Sequence, residues 1–182
     1  MLNIHGMRDI IKTRWVVITG APSSGKTTLI KSLALTGYKT VPDIARSTIE
    51  KYGSGDCPIS DKYIQTEIVE RLIEVSRTIN PGELVIFDYG MPDNLVFHEL
   101  LGLDINLDAC EYSRMIKYAA VFLCDPLPFV LDGIRDKDES RQILLHEMIK
   151  KSYVSLGYEV HHLPPGEVSD RLRSIKKELE AI

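Results

Sequence analysis

Five short apolar runs punctuate the chain, at residues 15–19, 38–41, 84–87, 120–123 and 158–163. The central runs are nearly unbroken in apolarity, the pattern of strands covered on both faces in a parallel sheet. Between them lie stretches with helical spacing, at residues 27–35, 44–52, 61–78, 107–117, 139–156 and 168–179. In the third of these, Ile64, Ile68, Leu72 and Val75 recur every three or four residues and mark one buried face. Strands alternating with helices predict an α/β fold of three layers: a doubly wound, mainly parallel five-stranded sheet with helices on both faces. No repeat, low-complexity tract or Pro/Gly/Ser-rich linker divides the chain. One domain over residues 1–182 is therefore expected, with 1–14 as an N-terminal extension. Residues 52–58 and 132–138 are polar enough for surface loops. In an open parallel sheet, ligands gather beyond the carboxyl ends of the strands. That directs attention to the residues closing the apolar runs: Gly20, Asp43, Asp88 and Asp125.

Gly20-Ala21-Pro22-Ser23-Ser24-Gly25-Lys26-Thr27 matches G-x-x-x-x-G-K-[ST] in full, and Thr28 follows. Its setting, between a buried strand and an amphipathic helix, is the one this motif needs. Glycines at both ends let successive backbone N–H groups turn inward toward phosphate oxygens. The helix N-terminus adds its dipole and its unpaired N–H groups. Lys26 supplies a compact positive charge for the β- and γ-phosphates, and the Thr27 hydroxyl is placed for Mg²⁺. A chance match in a chain of this length is expected roughly a few times per thousand. The three layers are thus those of a P-loop NTPase fold, with ATP and Mg²⁺ as the expected cofactors.

Two strand-ending carboxylates extend the site. Leu84-Val85-Ile86-Phe87-Asp88 is an apolar strand closed by an acid that can hold Mg²⁺ opposite Thr27. Asp93 reads as a structural cap for a helical stretch starting at Asn94. Asp43 closes the second run and suits two roles, general base toward an acceptor hydroxyl or N-cap of the next helix. Arg46, one turn further on, is placed to hold an anionic acceptor or to pair with Asp43. A charge-dense stretch after the fourth run, within residues of about 126–142, reads as a short lid. Its Arg135 and Arg141 are candidates to neutralise charge on a transferring phosphoryl group.

Composition narrows the partners. Hydrophobic residues make up 44% and charged residues 26%, as in an ordinary globular domain. A net charge of −4 offers no general attraction to polyanions, so no nucleic-acid partner is expected. The apolar runs are too short to span a bilayer, and residues 1–14 lack the apolar core of a signal peptide. Cys57, Cys110 and Cys124 show no ligand spacing and suit reduced thiols in the cytoplasm. No guanine-reading [N/T]-K-x-D element is present, and His146-Glu147 lacks the second histidine of a zinc-protease helix. His161 and His162 read as structural, and no metal cluster beyond Mg²⁺ is expected.

With these residues in hand, the chain resembles the small single-domain P-loop ATPases and kinases related to the ribosylnicotinamide kinase domain of NadR-type proteins. The resemblance rests on Ile-Thr-Gly-Ala-Pro-Ser-Ser-Gly-Lys-Thr-Thr, Val-Pro-Asp-Ile-Ala-Arg, Ile-Phe-Asp-Tyr-Gly-Met-Pro-Asp, Asp-Gly-Ile-Arg and the late Leu-Gly-Tyr-Glu-Val. It implies ATP at the P-loop and an acceptor pocket bounded by the second and third strands. Asp43, Asp88, Arg135 and Arg141 carry the expected residue types. One departure is visible: many relatives have Asp-Arg-Gly where this chain has Asp88-Tyr89-Gly90. The expected activity is phosphoryl transfer from ATP to a small, nucleoside-like or other hydroxyl acceptor, with ATP hydrolysis as a nucleotide-dependent switch the alternative.

Overall fold

A computed structural model describes residues 9–52, 60–127 and 139–182. Five strands form one wholly parallel sheet: β2 (Trp15–Thr19), β3 (Lys39–Val41), β4 (Val85–Asp88), β6 (Ala120–Cys124) and β7 (Val160–Leu163). They lie in the order β3-β4-β2-β6-β7, so β2 sits at the centre with β4 and β6 on either side. In register, Ile18 lies beside Asp88 and Thr19 beside Leu123, which brings the strand exits onto one rim.

Period-two alternation in β2 divides the core. Trp15 and Val17 face one side with Phe87, Val121 and Leu123. Val16 and Ile18 face the other with Ile86 and Phe122. The first face is covered by α3 (Asp61–Arg77), α4 (Met91–Leu100), α5 (Leu107–Met115) and α6 (Glu139–Ser155), through Leu72, Val96, Tyr112 and Tyr153. The second is covered by α1 (Lys26–Leu35) and α7 (Val168–Leu179), through Leu29, Leu33, Ile175 and Leu179. Helix α2 (Ile44–Tyr52) packs on α3, where Arg71 Nη1 donates to Thr48 Oγ1 at 2.6 Å. Ile64, Ile68 and Leu72 of α3 are all buried, as their spacing predicts.

Two features depart from the sequence reading. Ile11–Lys12, inside the expected extension, forms a short strand β1 that pairs in parallel with β5 (Ile116–Lys117). Thr13 Oγ1 and Thr13 N–H both donate to Lys117 O. Residues 116–117 therefore leave the helix predicted to contain them, and α5 ends at Met115. The second departure is α4, which starts at Met91 rather than Asn94. Asp93 does cap it, but from the third helical position, by accepting the Gly90 N–H at 3.0 Å. The predicted loops at 52–58 and 132–138, Cys57 and Arg135 fall wholly or mainly outside the described residues.

Candidate nucleotide and metal site

The turn after β2 has the backbone that its glycines foretell. Gly20 has φ +140° and Gly25 φ +85°, both left-handed, and Ser23 between them stands at φ +62°. A methyl group on Gly20 would lie 2.5 Å from the Cys124 carbonyl oxygen, so the loop rests directly on the end of β6. Gly25 is the N-cap of α1; it offers no side chain to the first N–H groups, and the first turn carries no acid. The start of α1 thus presents unneutralised partial positive charge to the rim. The Lys26 ammonium lies back across the loop, donating to Gly20 O at 2.7 Å and Ala21 O at 2.9 Å. A cavity of about 330 Å³ opens over the loop, lined by residues 23–28, Arg46 and Leu127.

Asp88 stands next to this loop because β4 is the immediate neighbour of β2. Its side chain is buried and Oδ1 has no hydrogen-bond partner among the described residues. Burial pushes its pKa up to about 6, against the pull of the Lys26 charge and with the help of the Asp43 and Asp93 carboxylates. A buried acid oxygen with no partner among the described residues, within the field of the Lys26 charge, suits a divalent cation as its partner.

Asp43 closes β3, the edge strand beside β4, and its Oδ1 accepts the Arg46 N–H at 2.8 Å, the N-cap bond of α2. The Arg46 guanidinium pairs with Glu50 at 3.0 Å, four residues along the same helix. Arg46 therefore reaches Asp43 through its backbone and not through its side chain. Arg141 lies in the first turn of α6, exposed, and does not line the cavity described over the loop.

Behind these groups, Asp93 gathers three donors. Thr19 Oγ1 donates to its Oδ1, while Tyr153 Oη at 2.5 Å and Gly90 N–H donate to its Oδ2. Burial raises its pKa and the three donors lower it. Tyr89, in the place of the relatives' arginine, holds φ +84° and packs its ring among Ile64, Ile68 and Phe97. Its hydroxyl lies toward the Asn94 amide, and Asn94 Nδ2 donates to Gln65 Oε1 at 2.9 Å.

Sequence reasoning missed two features. Arg171 of α7 is buried behind the loop and donates through Nη1 to Ser24 O at 3.0 Å, while its Nε and Nη2 have no partner among the described residues. Its place in the apolar spacing of α7, four residues before Ile175, was the available signal. The second is a gathering of Asp125, His146 and His162 at one point, side chains that the sequence reading took singly.

The parallel sheet, its strand order and the glycine loop define a P-loop nucleotide-binding domain of the kinase fold. Residues 15–171 match the family described as an AAA domain, and the chain belongs to that family. No curated protein sequence matches it. Among solved structures, NadR in complex with NAD and AMP-PNP shares 15% identity at a TM-score of 0.66, over 93% of this chain and 50% of that one. Deoxyadenosine kinase from M. mycoides shares 14% identity at a TM-score of 0.62, over 92% of this chain and 100% of that one. Thymidylate kinase from Candida albicans shares 12% identity at 0.61, over 93% and 92%. At these identities the likeness is one of fold.

Proposed function

We propose that the protein binds ATP as its Mg²⁺ complex and transfers the γ-phosphoryl group to a small hydroxyl compound, nucleoside-like in size. The observation that carries this reading is Asp88 Oδ1, without a partner among the described residues, on the strand next to the glycine loop, with Asp43 just past the end of the strand beyond it. The order β3-β4-β2 sets Asp43, Asp88 and the glycine loop beyond successive strand exits on one rim, which supports this division of roles. The kinase titles of the solved structures with this fold support the reading, as does AMP-PNP in the NadR complex.

In this account Gly20, Ala21, Pro22, Ser23, Ser24, Gly25, Lys26, Thr27 and Thr28 surround the phosphates. Lys26 leaves its carbonyl partners for the β- and γ-oxygens. Thr27 and Asp88 hold Mg²⁺, which neutralises charge on those oxygens. Asp43 takes the proton of the acceptor hydroxyl, and Arg46 steadies an anionic acceptor. Arg135 and Arg141 close over the γ-phosphate and exclude water. A protein of this design works in the cytoplasm, where ATP, Mg²⁺ and reduced thiols coexist.

Incubation with γ-labelled ATP and a metabolite pool tests the reading. A labelled product that Lys26→Ala and Asp43→Asn abolish supports it, with ATP binding spared only in the second variant. Asparagine caps a helix as well as aspartate does, so Asp43→Asn removes the base without removing the cap. Free phosphate as the sole labelled product sinks transfer. It would favour the second reading, an ATPase whose nucleotide state a partner protein reads. That alternative has one observation behind it, the Tyr89 ring packed on the acceptor side where relatives carry an arginine.

A further inference from the structure

Three side chains that the phosphate chemistry leaves unused converge beside the rim. Asp125 directly follows β6, His162 lies in β7 and His146 lies on α6. Their donor atoms all fall within 4.8 Å of one another. His162 Nδ1 is 2.9 Å from Asp125 Oδ1, and His146 Nε2 is 3.5 Å from the same oxygen. Sheet register fixes two of the three: His162 pairs with Leu123, and the Asp125 N–H donates to Leu163 O at 3.0 Å. The third is held by the buried face of α6, where Leu145, Ile149 and Tyr153 enter the core.

Hydrogen bonding alone accounts poorly for this arrangement. His146 is only 7% exposed, its Nδ1 has no hydrogen-bond partner among the described residues, and its Nε2 contact lies beyond a good hydrogen-bond distance. A buried imidazole so weakly satisfied calls for another partner at Nε2. Tetrahedral metal–ligand bonds to imidazole nitrogen and carboxylate oxygen place the ligand atoms about 3.3 Å apart, and the two separations from Asp125 Oδ1 lie on either side of that value. Two imidazoles and one carboxylate form a borderline-soft donor set, which prefers Zn²⁺ and its neighbours over Mg²⁺.

We propose that Asp125, His146 and His162 bind one divalent transition-metal ion of the Zn²⁺ class, with water as the fourth ligand, at a site separate from the Mg²⁺ of the P-loop. The ion ties α6 to the ends of β6 and β7. This site stands or falls independently of the phosphoryl-transfer reading.

The full chain, stripped with a chelator, is titrated with Zn²⁺ by calorimetry and with Co²⁺ by visible absorption, both in excess Mg²⁺. The expected result is one equivalent per chain, tetrahedral Co²⁺ bands and a raised Tm with Zn²⁺. His162→Ala suits the test because that side chain is 39% exposed and contributes little to the core. It and Asp125→Asn should weaken binding by more than about tenfold, the loss that even outer-shell partners cause. His161→Ala, the neighbouring histidine stacked on Phe122, should leave binding unchanged. In the wild-type protein, Zn²⁺ should move the ring ¹⁵N resonances of His146 and His162 but not those of His98. No stoichiometric binding, binding untouched by His162→Ala and Asp125→Asn, or unmoved His146 and His162 resonances would each overturn the site.

Discussion

Replacing Asp88 by Asn should make the metal-free protein more stable, and only at neutral and alkaline pH. Asp88 lets go of its proton near 3.8 in the unfolded chain but near pH 6 in the folded one, because burial penalises the charge. Between those values the folded protein binds more protons than the unfolded, so stability falls as pH rises from about 4 to about 6 and stays lower above that. A difference of about two pKa units corresponds to about 3 kcal/mol, of which we expect about 2–3 kcal/mol to be measurable. Asn imitates the neutral acid and avoids that cost. Trp15, the chain's single tryptophan and fully buried, reports unfolding by its fluorescence. Urea titrations in EDTA should show Asp88→Asn more stable by about 2–3 kcal/mol at pH 7.5 and nearly equal to wild type at pH 4. In thermal melts at pH 7.5 the gain amounts to about 5–10 °C for a domain of this size. An equal gain at both pH values, or a loss at pH 7.5, would refute the account of Asp88 as a buried charge awaiting a partner.

Three other outcomes follow from the same rim. Gly20→Ala should cost about 2 kcal/mol or more in urea unfolding, since a methyl group there meets the Cys124 carbonyl in a left-handed backbone. Asp93→Ala orphans Thr19 Oγ1, Tyr153 Oη and the Gly90 N–H and should cost about 3–5 kcal/mol, read by the same titration. Binding of Mg²⁺·ATP should release protons at about pH 5.5–6, because a metal at Asp88 forces its carboxyl to ionise. Calorimetry in buffers of different ionisation enthalpy counts those protons, and Asp88→Asn should abolish the release.

The layering was legible because each central strand is short, apolar and closed by a residue fit for the rim. Runs such as Val16-Val17-Ile18 have no other stable home than a sheet covered twice. The loop at residues 20–27 was legible for another reason: two of its three left-handed positions, Gly20 and Gly25, are glycines written in the sequence, and only Ser23 is not. Helix α4 was harder to read. Pro92 stands in its first turn, and Met91, Asp93, Asn94, Val96 and His98 are all buried, so no clean polar face marks the period. Strands β1 and β5 have two residues each, too few for any alternation to show. Arg171 shares the apolar spacing of α7 with Ile175 and Leu179, but a charged side chain there does not by itself announce burial. Only the docking of α7 behind the loop turns it into a buried donor to Ser24. Asp125, His146 and His162 are spread over 37 residues, and nothing local hints that β6, α6 and β7 bring them to one point.

The triple grip of Asp93 sets a mechanical condition on the molecule. One carboxylate joins the last residue of the central strand, the elbow entering α4 and a tyrosine sixty positions downstream on α6. A slide of one ångström by any of the three stretches a buried hydrogen bond to Asp93 beyond a good length. The rim is therefore keyed like a three-way joint, so movement during turnover belongs to segments beyond it.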